Sequence, residues 1–489
     1  MQRAVRAILD SSRSLEPADP FAGAHLNIAN ALGEERDASE LLEYWRSRAP
    51  GNPRGDMRYR WELSHRRGVR MPPYAEAESE WIAWRAAERP LLEREPFEFE
   101  QRLATPIVLT ENAELLAAVA EGGSDLARDL LAEAAPVLRR DFAGFVQALD
   151  PWQDTFALWC VTRRLRSLAL LHPLAVAIAT CYSATLSEAP GPVLGIRFPF
   201  HRLPLVSASA QLASSLLSLG MELDLVADLV DFVAAARLES GGWGDASQDA
   251  DVLTTLVAAD LMVRIDPSFD FEPSRKLLER MLGGDDLWRA VGPEAPWLSA
   301  EVVTLLVAAR QPFALRFRWP YLPPANRDHK TRLPFFAYFA ELARLFSALP
   351  GLQDAPVDLG FIDLVGFRAF NNAYGQDRGD EVLRAFAEEL EGIDAVRAIR
   401  DGGDEFILVA APERRGLKAE LEAFRRDWPA RFRERFGEDV PPVAPRILIG
   451  RAHGAGLVSA REELGRRITT LKHAETGPEG ILVDAGDVG

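Results

Sequence analysis

The spacing of hydrophobic positions divides the chain. Up to about Asp150 it is mostly helical, interrupted by Pro, Gly and Arg clusters. Within Glu111–Ala135, Leu115, Leu116, Val119, Leu126, Leu130, Leu131 and Ala134 lie near helical spacing, and Gly122-Gly123 divides the run into two helices. From Pro151 to Phe317 further helices follow in hairpin-like order. Ser167–Leu186 has no charge over twenty residues, long enough to span a bilayer, but Pro173 interrupts it. It predicts two buried helical segments and no membrane span. Leu238-Glu239-Ser240-Gly241-Gly242-Trp243-Gly244-Asp245 reads as a tight turn between helices, with Trp243 sealing the gap between hairpins. Asp251 is placed to cap the apolar helix after it. Gly283-Gly284-Asp285-Asp286 reads as the stop of a helix ending at Met281-Leu282.

Pro320, Pro323, Pro324 and Pro334 then mark a linker. Phe335, Phe336, Phe339, Leu342, Leu345, Phe346 and Leu349 form an apolar stripe at helical spacing, which must bury itself against a neighbour. After Pro356 the period changes again. A strand at Val357–Leu364, helices at Phe367–Ala373 and Asp380–Leu390, and strands at Ala395–Arg400 and Glu405–Ala410 are predicted. A helix at Arg414–Phe436, a strand at Arg446–Gly450, a helix at Ala460–Lys472 and a strand at Gly480–Val483 follow. This order, βααββαβαβ, predicts an α/β palm-like sheet covered by helices. The expected chain is multidomain: a helical region 1–150, an all-α middle region of α/α hairpin repeats at 151–317, a linker and connecting helix at 318–355, and the α/β domain at 356–489.

The composition, 48% hydrophobic and 26% charged over 489 residues, is that of globular protein and excludes a disordered or collagenous chain. With 56 basic and 73 acidic side chains the net charge is −17, which repels a nucleic-acid polymer but leaves room for a small anion in a local pocket. Cys160 and Cys181 lack the spaced partners of a zinc site and suit a reducing compartment. The first twenty residues are too polar for the apolar core of a signal peptide. The expected location is the cytoplasm.

The Gly241-Gly242-Trp243 turn and its flanking helices resemble the α/α repeats of the squalene–hopene cyclase and prenyltransferase superfamily. In its cyclases an Asp-x-Asp-Asp motif supplies the catalytic acid. Asp249 and Asp251 match the first and third positions, but Val252 replaces the fourth, which favours a helix cap. A small apolar ligand near Trp243 is the corresponding functional alternative.

Chemistry concentrates at three places near predicted strand ends: Asp363-Leu364; Phe367–Gly375 with Arg378-Gly379-Asp380; and the turn Gly402-Gly403-Asp404-Glu405-Phe406. Two acids on a hairpin beside a third on a neighbouring strand can hold magnesium, a hard cation that favours carboxylate and phosphate oxygens. Adjacent glycines let a nucleotide approach the backbone. Together these motifs closely resemble the GGDEF family of diguanylate cyclases over Val357–Asp484. The resemblance implies that Asp363 and Asp404, with the Leu364 carbonyl, bind Mg2+ or Mn2+, and that Glu405 is the catalytic acid beside the 3′-hydroxyl. It also implies that Asn371 and Asp380 read guanine, that Gly402 and Gly403 lie against the nucleotide, that Phe367 and Arg368 border the phosphates, and that Lys472 binds phosphate.

Several positions depart from the family pattern. Val365 replaces a second acid, Gln376 a common histidine, Asn372 a frequent Asp and Arg368 a usual Lys. Thr476 falls where a phosphate-binding Arg is expected, and Ile393 and Val396 replace the Arg-x-x-Asp of product inhibition. The implied activity is condensation of two GTP into cyclic di-GMP by a bacterial-type cytoplasmic homodimer, with the N-terminal helices as sensor or oligomerisation module. The alternatives are a degenerate module that binds GTP without turnover, and an isoprenoid-binding or cyclase-like α/α domain.

Overall fold

The computed structural model describes residues 186–188, 194–196, 205–219, 223–245, 249–289, 295–320, 327–471 and 480–488. The helices expected before Leu186, including both halves of Glu111–Ala135, lie outside the described residues, as do Pro323, Pro324, Lys472 and Thr476. The chain divides into two compact units, one of residues 1–263 and 270–310, the other of residues 264–269 and 311–489. No helix among the described residues is long and apolar enough to cross a membrane.

In the first unit the expectation of an all-α middle region needs one correction. Strands β1 (Leu186–Glu188) and β2 (Leu194–Ile196) pair antiparallel. The sequence between them holds Pro190 and Pro192, each without the N–H that would continue a helix. Helices α1 (Val206–Leu219), α2 (Leu223–Ala235), α3 (Val252–Ile265), α4 (Glu272–Arg280) and α5 (Ala295–Ala308) follow. Asp251 caps α3, its carboxylate accepting from the Thr254 N–H at 2.8 Å. The Trp243 indole is fully buried and donates to the Val233 carbonyl at 2.7 Å. Its backbone N–H and carbonyl both meet the Thr255 hydroxyl at 3.1 Å. The same arrangement recurs at Trp288, with the Leu278 carbonyl at 2.6 Å and the Ser299 hydroxyl at 2.8 Å. A Cβ at Gly242 would lie 2.2 Å from the Leu277 side chain. The Trp243 ring and the glycine before it are therefore held in close packing at this turn.

The second unit opens with α6 (Phe313–Arg316), α7 (Phe336–Ala348) and α8 (Pro350–Gln353). It continues as β3 (Pro356–Val365), α9 (Phe367–Tyr374), α10 (Gln376–Glu391), β4 (Val396–Arg400), β5 (Glu405–Ala410), α11 (Leu417–Phe436), β6 (Ala444–His453), α12 (Leu457–Leu471) and β7 (Ile481–Asp487). The strand order is β4-β5-β3-β6-β7, antiparallel except for the parallel β6–β7 pair. The element order is the βααββαβαβ that the periodicity predicts, and the pairing makes the sheet mixed.

Central β3 is buried on both faces. Ile362 and Leu364 join Phe406, Leu408, Ile447 and Ile449 in a core with Phe386, Phe424, Trp428 and Phe432 of α10 and α11. On the opposite face Gly465 of α12 lies over the Phe361 ring. The apolar stripe of α7 buries Phe339, Leu342, Leu345 and Phe346, with Phe346 edge-on to Phe317 at 5.6 Å. It is thus satisfied within its own unit, while Phe335 and Phe336 remain exposed.

A single carboxylate joins the segment before α7 to the β4–β5 hairpin. Asp328 is buried and accepts from the Thr331 N–H at 2.8 Å, the Thr331 hydroxyl at 2.9 Å and the Arg400 guanidinium at 2.5 Å. Arg400 also donates to the carbonyls of Gly402 (3.0 Å) and Gly403 (2.6 Å), and its backbone N–H to Pro334 at 2.8 Å. Burial pushes the Asp328 carboxyl up, but the Thr331 donors and Arg400 outweigh it and hold the group below its ordinary value.

Two expectations follow from these anchors. Trp243→Phe keeps the ring but leaves the Val233 carbonyl unpaired, and should cost about 1–3 kcal/mol in urea unfolding. Because the folded Asp328 carboxyl is depressed, its contribution is present above the unfolded value of 3.8 and is lost as pH falls through the folded one. Asp328→Ala should cost about 3–5 kcal/mol at neutral pH. It should also flatten the loss of stability between about pH 5 and pH 2, followed by denaturant midpoints.

Candidate active site

Strand register sets the centre of the site. Asp363 on β3 stands opposite Glu405 on β5 and opposite Arg446 on β6. Directly opposed side chains point to the same face, so one row carries acid, acid and guanidinium. The Asp363 carboxylate accepts from the Arg446 guanidinium at 2.7 Å, and both side chains are almost fully buried, at 7% and 4% exposure. The Leu364 N–H donates to the Asp404 carbonyl at 3.2 Å, tying the end of β3 to the hairpin tip.

Within the hairpin the N–H groups of Asp401 and Gly402 donate to the Glu405 carbonyl at 3.0 and 3.3 Å, while Arg400 holds the two glycine carbonyls from behind. Both glycines are exposed, and a Cβ on Gly403 would meet nothing within 4 Å. A ligand has room to approach the backbone there. Asp401 ion-pairs with Arg461 of α12. Burial raises the Asp401 carboxyl, the neighbouring Glu405 charge adds to this, and Arg461 partly offsets both.

A second cluster lies on α9 and α10. Gly375, with φ +88°, makes the turn between them, a conformation that a side chain would strain. Asn371 packs its amide on Gly379, where a Cβ would come within 1.7 Å of Oδ1, and that oxygen is buried without a hydrogen-bond partner. Asp380 is paired with the Lys330 ammonium at 2.7 Å. The Phe367 ring belongs to the core and lies against Gly379, so its side chain is committed to packing; Arg368 is exposed. Lys472 lies outside the described residues.

The structure therefore brings Asp363, Leu364, Asp404 and Glu405 together at the hairpin, and groups Asn371 with Asp380 at the α9–α10 turn. The sequence reading did not identify Asp328, Arg400, Lys330, Arg446 or Arg461 as parts of this region. Arg400 had a local signal, its place just ahead of the turn. The others acquire their partners across 50 or more residues, and nothing local announces that.

Among the described residues no three acidic, His or Cys side chains form a cluster able to hold a metal by themselves. Magnesium needs no such cage, since it commonly binds through one or two carboxylates, retained waters and substrate phosphates. The Arg446 guanidinium donates to Asp363 Oδ2, and a carboxylate has about four lone-pair sites in all. The residues present fit a divalent ion that arrives with a polyphosphate. The guanidinium beside Asp363 weakens their hold on the ion alone.

Residues 325–456 match the family model described as "Diguanylate cyclase, GGDEF domain". A stretch of 56 residues is 43% identical to the diguanylate cyclase VdcA of Vibrio cholerae, covering 11% of this chain and 16% of that protein's length. Among solved structures, the GGDEF domain of DgcB from Caulobacter crescentus, in complex with c-di-GMP, is 22% identical. It covers 34% of this chain and 98% of that one with a TM-score of 0.29. The diguanylate cyclase SiaD of Pseudomonas aeruginosa, in complex with its activator SiaC, is 21% identical over 33% of this chain and 62% of that one, with a TM-score of 0.28. GGDEF diguanylate cyclases generally use divalent metal ions. Residues 325–456 of this chain are a C-terminal GGDEF domain.

Proposed function

We propose that this domain is a diguanylate cyclase that condenses two GTP into cyclic di-GMP and two pyrophosphates. The observation that carries the reading is the cross-strand row in which Glu405 stands beside Asp363, at the foot of an open hairpin whose glycine backbone is exposed. In each half-reaction the 3′-hydroxyl of one GTP attacks the α-phosphorus of the other, and the bond to the β-phosphate breaks. Glu405 is the group positioned to hold or accept the hydroxyl proton. The exposed backbone at Gly402-Gly403 borders the nucleotide, and Arg368 is available to its phosphates. Asp380 offers acceptors to the N–H groups of guanine, and Asn371 contributes a further polar group toward the same base. A divalent ion held by Asp363, Asp404 and the Leu364 carbonyl would neutralise phosphate charge. Two sites must face each other for both attacks, so the active species is a homodimer, with the helical N-terminal region as its regulator.

A second reading is favoured by one observation. The Arg446 charge beside Asp363 supplies part of what a metal would, as in a module that binds GTP without turning it over. Chromatography of the full chain with GTP and Mg2+ separates the two. The cyclase reading expects cyclic di-GMP, abolished by Asp404→Ala and by Glu405→Gln. GTP binding without product would establish the second reading.

Arg446 also makes a metal-specific expectation. Arg446→Thr removes the buried guanidinium beside Asp363 and should destabilise the ion-free protein by about 3–5 kcal/mol. Removing a positive charge next to the ion should tighten Mn2+ by about tenfold or more. The variant should therefore gain more in thermal midpoint from Mn2+ than the parent does, in a titration followed by unfolding.

A further inference from the structure

A carboxylate at Asp380 can accept the N1–H and the exocyclic amine of guanine, but it has nothing to offer the O6 carbonyl at the same edge. Lys330 does. Its ammonium lies 2.7 Å from Asp380 Oδ1, and the two side chains are 34% and 29% exposed, so the pair is open to a ligand. An ammonium carries three donors and no acceptor; one is used on Asp380, and two remain to be directed at a ligand or water.

The placement of Lys330 is fixed by its backbone. Its N–H donates to Asp328, the carboxylate that also holds Arg400 and the hairpin, at 3.2 Å. Its carbonyl accepts from Arg384 at 3.3 Å, and Arg384 lies one helical turn beyond Asp380 on α10. The lysine is thus bracketed from both sides and delivered to the Asp380 carboxylate, 50 residues away in sequence.

We infer that Lys330 is a specificity-determining residue that donates to guanine O6 while Asp380 accepts from N1–H and the exocyclic amine. Adenine presents an exocyclic amine where guanine has O6, so donor would meet donor, and the mismatch with Lys330 adds to the mismatch with Asp380. The inference rests on the reading that Asp380 faces the base.

Competition binding on the full chain, with GTP, 6-thio-GTP and ITP as probes, tests the two separately. Replacing O6 by sulfur weakens the acceptor and keeps both N–H donors, whereas ITP keeps O6 and N1–H and lacks the amine. The parent should prefer GTP over 6-thio-GTP by about tenfold, one hydrogen bond's worth. Lys330→Met should bring that ratio near one while the preference for GTP over ITP survives, and Lys330→Arg should restore it. A parent that binds GTP and 6-thio-GTP equally overturns the inference without any variant having to fold. So does an unchanged ratio in Lys330→Met, which would leave the lysine a structural partner of Asp380. Equal binding of GTP and ITP, in the parent and in Asp380→Asn alike, would instead remove Asp380 from the base site and the inference with it.

Discussion

The β4–β5 hairpin and the segment before α7 depend on one buried ion pair, Asp328 with Arg400. A carboxylate removed from water has to be matched by several donors, and Asp328 meets that demand with backbone, hydroxyl and guanidinium groups from both sides. Arg400 in turn fixes the carbonyls of the two glycines whose lack of side chains makes the hairpin accessible. The open turn is therefore held from beneath while its upper side stays free. The same carboxylate fixes the backbone of Lys330, so the hairpin and the Asp380 cluster share an anchor.

Register accounts for the rest of the site. With β3 between β5 and β6, the residues opposite Asp363 have to be Glu405 and Arg446. Three charges on one row of a mostly buried sheet are tolerable because opposite signs adjoin at Asp363. The consequence is an acidic site with a built-in positive charge, suited to an ion that comes with its own phosphates. The neighbouring Asp401–Arg461 pair treats a further buried acid similarly, from α12 beneath the turn.

The first unit follows a different logic. Trp243 and Trp288 are each locked by an indole bond to the carbonyl of a preceding helix and by a hydroxyl from the following one. The repetition shows that these tryptophans are packing devices, and the tight contacts of Gly241 and Gly242 have the same meaning. Trp243 and the two glycines before it take part in closing the turn between helices. Asp251, the third acid position of the cyclase comparison, serves as a helix cap.

What the sequence determined by itself was local. Alternation and helical spacing gave the βααββαβαβ order, because period and turn residues are properties of short segments. The glycine-flanked acids of the hairpin were legible for the same reason, and so was the cap at Asp251. Tertiary structure decided which charges meet. Arg446 looks like an ordinary strand residue until register sets it against Asp363, and Lys330 like a solvated linker residue until the Asp328 clamp aims it at Asp380. Phe367, assigned by resemblance to the phosphates, has its ring drawn into the core by Gly379 and the apolar cluster around it. The β1–β2 pair was likewise missed, because three-residue strands carry too little pattern to be read without their partner. Long-range pairing of buried charges leaves no periodic trace, since its energy depends on the distance and burial of groups that the sequence holds far apart.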